Sequence, residues 1–391
     1  MHPQQRAEPI MVADRGRAPA GSPAWSYHVL AGPDVLDRLG PELDELAAAA
    51  GTPVTARRTW LAAWVRAHRP AGAEAIALRD RSTGRLDGLA ALSVAPRGDH
   101  DAIAPLGRRQ SDRGALPARH RAAAEALAAA LVSRLRGRPR PWVLRLGQLP
   151  AGDPVAAAVA RRLGATASLV PGLAIPKVEF GDATSVEGWL GQGLRKQLRK
   201  ARNRLATDGV EAGVAFSVRA GDIAVLLGEI ERTHRARERD ARRVSELESA
   251  PGRRFWWAAV VDHAARGEAE VATLRLDGEL AAYVVALLDG DSYRVLDGRC
   301  STAWARYSPG RLLEAAALER ALGDGRFARV DWMSGCASEK LLAANAADDT
   351  EHLVAASPGL VVDLDDVTGG PPAATDRGGE PTVLTLASGA R

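Results

Sequence analysis

The chain has 391 residues, of which 46% are hydrophobic and 26% are charged, and this composition is typical of a soluble globular protein with packed cores. At this length we expect two compact domains with terminal extensions. The net charge of +4 is small, so it does not by itself indicate a nucleic-acid-binding protein.

Targeting and redox features predict a cytoplasmic protein. The first 24 residues lack the apolar stretch of a signal peptide. The longest apolar run, 280–288, is too short to span a bilayer, so no membrane insertion is expected. Two cysteines, Cys300 and Cys336, cannot form a disulfide framework, and the eight histidines have no metal-ligand spacing, so no metal site is predicted.

Patterned sequence begins after a leader at 1–24 that is predicted to be disordered because it is rich in Pro, Gly and Arg. A small α/β domain is predicted at 25–174. Its predicted elements in chain order are a strand at 25–30, helices at 33–50 and 55–68, a two-stranded hairpin turning at 82–84, a helix at 118–137, a strand at 141–150 and a helix ended by Gly164.

A second domain is predicted at 175–357, followed by a disordered tail at 358–391 that is rich in Gly and Pro. Two Asp-Gly pairs, at 277–278 and 289–290, separate three strands within 269–300. The other predicted elements are a strand at 175–180, a basic helix near 194–209, a strand at 214–219, helices at 222–240, 253–267 and 308–325, a strand at 327–334, a short helix at 337–346 and a strand at 351–357. The two halves share a similar order of elements, so a duplicated fold is possible.

The basic segment LRKQLRKARNRLATDG at 194–209 carries six positive charges within eleven residues. Leu194, Leu198, Ala201 and Leu205 follow a helical period and predict one apolar stripe, with Gly209 ending the helix. The cations would occupy the other faces. We therefore expect a helix docked on a core, whose charged face is either solvated or attracts an anionic ligand; a nucleic-acid interface is a third possibility.

The segment RYSPGRLL at 306–313 follows a strand and opens a helix. Ser308 suits the N-cap, and Pro309 suits the first helical turn because it has no N–H to leave unpaired. The next amides lack intrahelical partners and could bind a phosphate, which Gly310 would allow to approach the backbone. An ordinary capped helix is the alternative. The residues of this predicted donor site are Arg306, Ser308, Gly310, Arg311 and Leu312.

Four segments, taken in order, resemble the GCN5-related N-acetyltransferase (GNAT) superfamily, and in particular its two-domain branch of cellulose-biosynthesis-type acetyltransferases, related to the Fem-type aminoacyl transferases. The segments are LRKQLRKARNRLATDG, DGELAAY, YSPGRLL and VDWMSGCASEK. The resemblance covers roughly residues 25–355. It implies an α/β fold of the α+β type, with two GNAT-like domains in tandem, each a mixed, mostly antiparallel sheet flanked by helices, the first domain being degenerate.

The same resemblance implies an N-acyltransferase that moves an acyl group, most simply acetyl, from acetyl-CoA or another acyl-CoA to an amine. A base must remove a proton from the attacking amine. Asp331 is the first candidate, and Asp297 and Glu339 are the alternatives. Tyr307 could protonate the departing thiolate, and Lys340, together with Glu339, could bind the substrate. Each of these side chains could instead be an ordinary solvated or ion-paired group.

The resemblance also implies a backbone N–H that stabilises the oxyanion, at Tyr293–Asp297. His234 and His263 lie among charged residues, so we expect both to be exposed on helix surfaces. The tryptophan pairs at 60 and 64 and at 256 and 257 are expected to pack in a core or between the domains.

Two other functions remain open. A Fem-like transferase would take an aminoacyl group from tRNA, and the basic helix would contact its phosphates. A non-catalytic protein that binds nucleic acid or another partner could use a degenerate acyltransferase scaffold. The acceptor is expected to be an amine of a small molecule or of a cell-envelope precursor, and amino sugars, amino acids, lipid amines and polyketide or peptide metabolites are all compatible with the sequence.

Overall fold

The computed structural model describes residues 24–108, 110–188, 190–333, 344–360, 362–363 and 383–384. The helices are α1 (Val35–Leu39), α2 (Pro41–Ala49), α3 (Arg58–His68), α4 (Arg121–Arg136), α5 (Pro154–Leu163), α6 (Gln192–Asp208), α7 (Ala220–Asp240), α8 (Ala250–Ala265) and α9 (Pro309–Asp324). None of the helices in these segments has the length and apolar character that crossing a bilayer requires.

The strands include those predicted from the sequence, together with further strands at 100–105, 167–171, 346–348, 362–363 and 383–384 that were not predicted. They are β1 (Trp25–Ala31), β2 (Ala73–Asp80), β3 (Leu86–Arg97), β4 (His100–Pro105), β5 (Trp142–Pro150), β6 (Ala167–Pro171), β7 (Ile175–Glu179), β8 (Ala212–Ser217), β9 (Ala269–Leu276), β10 (Glu279–Asp289), β11 (Ser292–Cys300), β12 (Arg329–Asp331), β13 (Ala346–Asp348), β14 (Thr350–Ala356), β15 (Val362–Asp363) and β16 (Val383–Leu384).

Two seven-stranded sheets have the same strand order. The first sheet runs β1-β2-β3-β4-β5-β14-β6, and the second, read from its opposite edge, runs β8-β9-β10-β11-β12-β7-β13. The described strand pairs are antiparallel except for β4 with β5 and β11 with β12. The predicted α/β fold of two mixed, mostly antiparallel sheets flanked by helices is therefore confirmed.

The two halves exchange one strand. The sixth position of the second sheet is filled by β7, which directly follows the last strand of the first half, whereas β14 returns from the end of the second half to pair with β5 and β6. The sequence-based division at 175–357 assigned β14 to the second domain, but β14 lies in the first sheet. A largely buried seven-residue strand suits either sheet, so its local sequence does not identify its partners.

The helices cover the sheets in layers. Helices α4 and α5 pack on one face of the first sheet, and α6 and α9 pack on one face of the second sheet. The other two faces meet through α1, α2, α3, α7 and α8, which share one continuous apolar core. Trp60 and Phe255 meet edge to face there with ring centroids 5.0 Å apart. The predicted packing of the tryptophans is confirmed for Trp60, Trp64 and Trp256, which belong to this core. It was wrong for Trp257, which is 37% exposed because it lies on the outer side of α8.

The basic segment forms the helix α6, which is docked on a core as predicted. Its buried residues are Leu194, Leu198, Ala201 and Leu205, and Gly209 ends it with a left-handed backbone at φ +67°. The six cations all lie on exposed positions of this helix. Its C-terminal part packs against α9 and the turn that precedes α9.

Candidate functional site

The parallel strands β11 and β12 separate after a short paired stretch. They pair from Ser292 with Arg329 to Arg294 with Asp331, and β11 then continues to Cys300 while β12 ends. Among the described residues, the edge of β11 beyond Arg294 that faces β12 therefore has no strand partner. Openings at the carboxyl ends of parallel strands are common ligand sites.

A β-bulge lies on β11 beside this opening. Val295 pairs with Ala286 and Asp297 pairs with Val285, so Leu296 is the extra residue. Val295 faces the core under α9, and in a regular strand Asp297 would face the same way. The bulge turns the Asp297 side chain to the opposite face of the sheet, toward α7. The bulge lies within Tyr293–Asp297, the segment predicted to stabilise an oxyanion.

The N-terminus of α9 opens beside the end of β11. Ser308 occupies the predicted N-cap position with φ +52°, but its side chain makes no capping hydrogen bond. The amide of Leu312 donates to the Ser308 carbonyl, whereas the amide of Gly310 has no partner among the described residues. A Cβ on Gly310 would lie 3.6 Å from Cys300 Sγ, in ordinary van der Waals contact. The backbone at Gly310 is therefore open to a ligand without any steric requirement for glycine in the fold.

The side chains of Arg306 and Tyr307 contact the end of α6. The Tyr307 hydroxyl donates to Asp208 Oδ2 at 2.9 Å, and the Arg306 guanidinium also bonds Asp208 and stacks 4.5 Å from the centre of the Tyr307 ring. Tyr307 is buried, so its hydroxyl holds the turn against α6. Arg311 pairs with Glu314 at 3.0 Å within α9. Leu312 packs against the core under α9.

The first sheet closes the equivalent opening with its own chain. Strands β4 and β5 also pair in parallel over three positions. The loop that follows β4 then crosses the gap, because the Gly114 amide donates to the Gln148 carbonyl at 2.9 Å and the Leu89 amide donates to the Pro117 carbonyl at 2.9 Å. A Cβ at Gly114 would lie only 2.6 Å from the Gly147 carbonyl oxygen. Only the second sheet therefore offers this opening within the described part of the chain.

Asp331 lies at the end of β12 in a buried ionic network. Its Oδ2 accepts from Arg113 at 2.8 Å and from Arg294, and its Oδ1 accepts from the Met333 amide at 2.8 Å. Arg113 also donates to Asp348 at 2.8 Å. Both Asp331 oxygens are thus engaged by the protein, and the carboxylate joins the two halves of the chain.

Asp297 lies in a second polar cluster, between β11 and α7. Its carboxylate accepts from the Tyr283 hydroxyl at 2.6 Å and from Arg299 at 2.7 Å. His234 Nε2 lies 3.9 Å from the same carboxylate, and His234 Nδ1 lies 2.9 Å from the Ser245 hydroxyl. Burial lowers the pKa of His234, so its ring is neutral near pH 7.

The prediction that His234 and His263 are exposed was wrong. His234 is 4% exposed and His263 is fully buried. The charged residues that flank His234 in sequence lie on other faces of α7. The buried face of α7 comprises Ile223, Leu227, Ile230, His234 and Glu238, a helical spacing that is visible in the sequence.

Glu246 is a site residue that the sequence did not indicate. It lies in the turn Glu246–Glu248 between α7 and α8, beside the Asp297 cluster. Among the described residues its carboxylate has no hydrogen-bond or ion-pair partner. The residue keeps contact with solvent, although burial and the Asp297 charge raise the pKa of its carboxyl group. Its position beside Asp297 depends on the packing of α7 on β11, and nothing in the local sequence signals it.

The candidate site residues after β12 are not described by the structure. Glu339 and Lys340 both lie within 334–343, outside the described residues. In the described segments, no group of three or more His, Cys, Asp or Glu side chains is placed to hold a metal ion.

Residues 192–341 match the sequence model of the GNAT acetyltransferase domain. The chain carries a GNAT domain. The matched segment begins with α6 and includes the bulged strand β11, helix α9 and strand β12. This match confirms, for residues 192–341, the GNAT superfamily that was predicted from the basic helix and the YSPGRLL segment. No protein of curated function is significantly similar to the whole chain in sequence.

Solved structures share the fold of the two sheets, of which the GNAT domain contains part of the second. FemX covers 80% of this chain and 95% of its own length with 10% identity and a TM-score of 0.59. A conserved protein of unknown function from Bacteroides thetaiotaomicron covers 84% and 99% with 10% identity and a TM-score of 0.54. The C-terminal domain of a proposed lysylphosphatidylglycerol synthetase from Agrobacterium fabrum covers 80% and 92% with 14% identity and a TM-score of 0.50. At these identities the likeness shows the fold alone.

Proposed function

We propose that the chain is an acyl-CoA-dependent N-acyltransferase that moves an acyl group, most simply acetyl, to the amine of a small molecule. The observation that carries this proposal is the separation of β11 from β12 beside the N-terminus of α9, within the GNAT domain. Acyl-CoA would supply a thioester that an amine can attack. The opening in the second sheet is its proposed site, since the chain closes the equivalent position in the first sheet.

The donor is proposed to lie with its phosphates at the N-terminus of α9. The unpartnered Gly310 amide and the dipole of α9 both favour an anion there. The bulge at Leu296 interrupts the hydrogen bonds between β10 and β11. A backbone amide that a bulge leaves without its strand partner can stabilise the negative charge that develops on a carbonyl oxygen. These two features fit the two ends of an extended acyl-CoA.

Glu246 is proposed as the base for the acceptor amine, in place of Asp331. A base must accept a proton, and Glu246 has a free carboxylate with a raised pKa and solvent contact, whereas both Asp331 oxygens are engaged. Asp297 and His234 are proposed to position the amine beside it. Asp331 is proposed as a positioning residue that holds β12 against the first domain.

Ligand-stabilised melting tests the donor. We expect acetyl-CoA or another acyl-CoA to raise the melting temperature of the full chain, because a ligand that binds only the folded state stabilises it. Gly310→Leu should abolish the shift by covering the amide, and Gly310→Ala, whose Cβ has room, is the matched control for folding. No shift with any member of an acyl-CoA panel would contradict the proposal.

An aminoacyl-tRNA donor is the second candidate, and the exposed face of α6 favours it. Arg195, Lys196, Arg199 and Lys200 lie on that face with no carboxylate within 4.0 Å among the described residues. If these four cations met a nucleic-acid duplex, log affinity against log salt would slope at about −4. Binding of aminoacyl-tRNA with that slope, together with no response to acyl-CoA, would replace the first proposal with this one.

A further inference from the structure

A groove of about 650 Å³ lies where α3 of the first half meets α7 and α8 of the GNAT domain. Its floor is apolar and is formed by Ala63, Ala67, Ala258 and the half-exposed ring of Trp257. A floor of this kind fits an aliphatic chain or a ring.

Three arginines and one glutamate line the rest of the groove. Arg66 pairs with Asp262, and Arg253 donates to the Leu247 and Glu248 carbonyls at 2.9 Å. Arg254 donates to the Ala67 carbonyl at 3.2 Å and has no carboxylate partner among the described residues. The groove therefore presents a guanidinium group that no carboxylate of the described residues pairs with, which favours an anionic ligand group.

The groove lies next to the Asp297 cluster along α7. Glu231 lines the groove, and His234, three residues later on α7, faces Asp297. Three residues of an α-helix span about 5 Å along its axis, so the groove and the Asp297 cluster are neighbours on one face of α7. The turn at 245–249 also connects the groove with the Asp297 cluster. On the groove side, Arg253 donates to a carbonyl of this turn, and on the cluster side the Ser245 hydroxyl is hydrogen-bonded to His234.

We propose that this groove holds the far end of the acceptor, an apolar chain or ring that ends in a carboxylate or phosphate. The inference rests on the proposed function, because it places the acceptor amine at Glu246 and the anionic end at Arg254. The acceptor class is then an amine joined to an anionic group through an apolar spacer, rather than a small polar amine or a polycation.

Titration calorimetry on the full chain without acyl-CoA tests the groove. Decanoate and decyl phosphate supply the apolar chain with each anionic end, and decylamine supplies the same chain with a cation. We expect both anions to bind and decylamine not to bind. Arg254→Gln should weaken decanoate about tenfold, as expected for the loss of one charge-assisted contact. Arg232→Gln, an exposed arginine of α7 outside the groove, is the matched control.

A second variant guards against a folding defect in Arg254→Gln. Ala258→Phe should fill the groove from a position that is only partly buried, and it should abolish decanoate binding with an unchanged melting temperature. Equal binding of decylamine and decanoate would overturn the anionic assignment, because the groove would then recognise the apolar chain alone. No binding of either, or equal binding by Ala258→Phe, would overturn the groove as the site.

A turnover assay with acetyl-CoA separates this inference from the proposed function. Decanoate binding without any transfer to ω-aminodecanoate would keep the groove and contradict the acyl-CoA reaction. Transfer to ω-aminodecanoate that Ala258→Phe leaves unchanged would keep the reaction and contradict the groove.

Discussion

Arg113, from the first domain, donates to Asp331 Oδ2 at 2.8 Å at the end of the GNAT-domain strand β12. The same Asp331 oxygen accepts from Arg294 on β11. One buried carboxylate therefore fixes the end of β12 to both its neighbouring strand and the other domain. The strand that borders the proposed donor opening is positioned by this contact.

Asp331→Asn should lower the free energy of unfolding by about 2 kcal/mol, because it removes a buried charge that accepts from two guanidinium groups, although Arg113 keeps Asp348 and Arg294 keeps Asp289. Urea unfolding measures the loss. Asp291→Asn, which breaks the exposed pair with Arg329, is the matched control and should change stability by less than about 0.5 kcal/mol. An unchanged stability with a hundredfold loss of kcat would instead make Asp331 the base.

Glu246→Gln should lower kcat by about a hundredfold or more without changing acyl-CoA binding, because the amide cannot accept the proton. The raised pKa of Glu246 gives the sign of the pH dependence. Activity should fall as the pH drops through that raised value, at a higher pH than an ordinary glutamate would give, and the variant should lack this acidic limb.

Glu248→Gln is the control for Glu246, since it lies in the same turn and its carboxylate is held by Arg235 at 2.6 Å. It should retain kcat and the acidic limb. Equal kinetic losses in the two variants would assign the effect to the turn as a whole and contradict the role of Glu246 as the base.

Leu353→Ala tests the exchange of strands. Leu353 lies near the C-terminal end of the described chain but is fully buried in the first-domain core. Its truncation should cost about 3 kcal/mol. Hydrogen exchange should show the loss of protection in β5 and β6, the partners of β14, and not in β12. Loss of protection centred on β12 would place β14 with the second domain.

Asp153→Asn should stabilise the protein at neutral pH. Asp153 caps α5 by accepting from the Val155 and Ala156 amides, and burial raises its pKa to about 6 despite those bonds. Its protonated form is therefore favoured by folding. The stability that protonated Asp153 contributes is fully present below the unfolded pKa of about 4, and it is lost as the pH rises through the folded pKa of about 6.

The asparagine keeps the cap without the buried charge, so the gain at pH 7.5 should reach at most about 3 kcal/mol and vanish near pH 4. Urea unfolding at both pH values measures it. Asp80→Asn should show the opposite sign at pH 7.5, since hydrogen bonds from Ser82 and Thr83 lower the pKa of Asp80 to about 2. A destabilised Asp153→Asn at pH 7.5 would contradict the account.

Local patterns predicted the elements that depend on neighbours in sequence. The apolar stripe of α6 matched its buried residues, and the Asp277–Gly278 turn has positive φ at both positions, as a tight hairpin turn requires. The YSPGRLL segment opened a helix at the predicted residue. These features follow from short-range sterics and burial, which a single sequence displays.

Long-range partners could not be predicted in this way. Asp331 meets Arg113 across 218 residues, and no local signal distinguishes this carboxylate from a free one. The exchange of β7 and β14 depends on how each strand pairs with its neighbours in the two sheets, which are distant in sequence. Glu246 stands out only after α7, its turn and β11 have packed together. The contacts of the two carboxylates therefore favour Glu246 over Asp331 as the candidate base.

Hydrogen–deuterium exchange of the full chain with and without acetyl-CoA is the most direct test of the central claim, that the donor lies between β11 and β12. We predict slower exchange of amides at 295–300 and 310–312 on adding acetyl-CoA, with no change at 100–123, the equivalent part of the first domain. Slower exchange at 100–123 alone, or no change at either place, would contradict the proposed site.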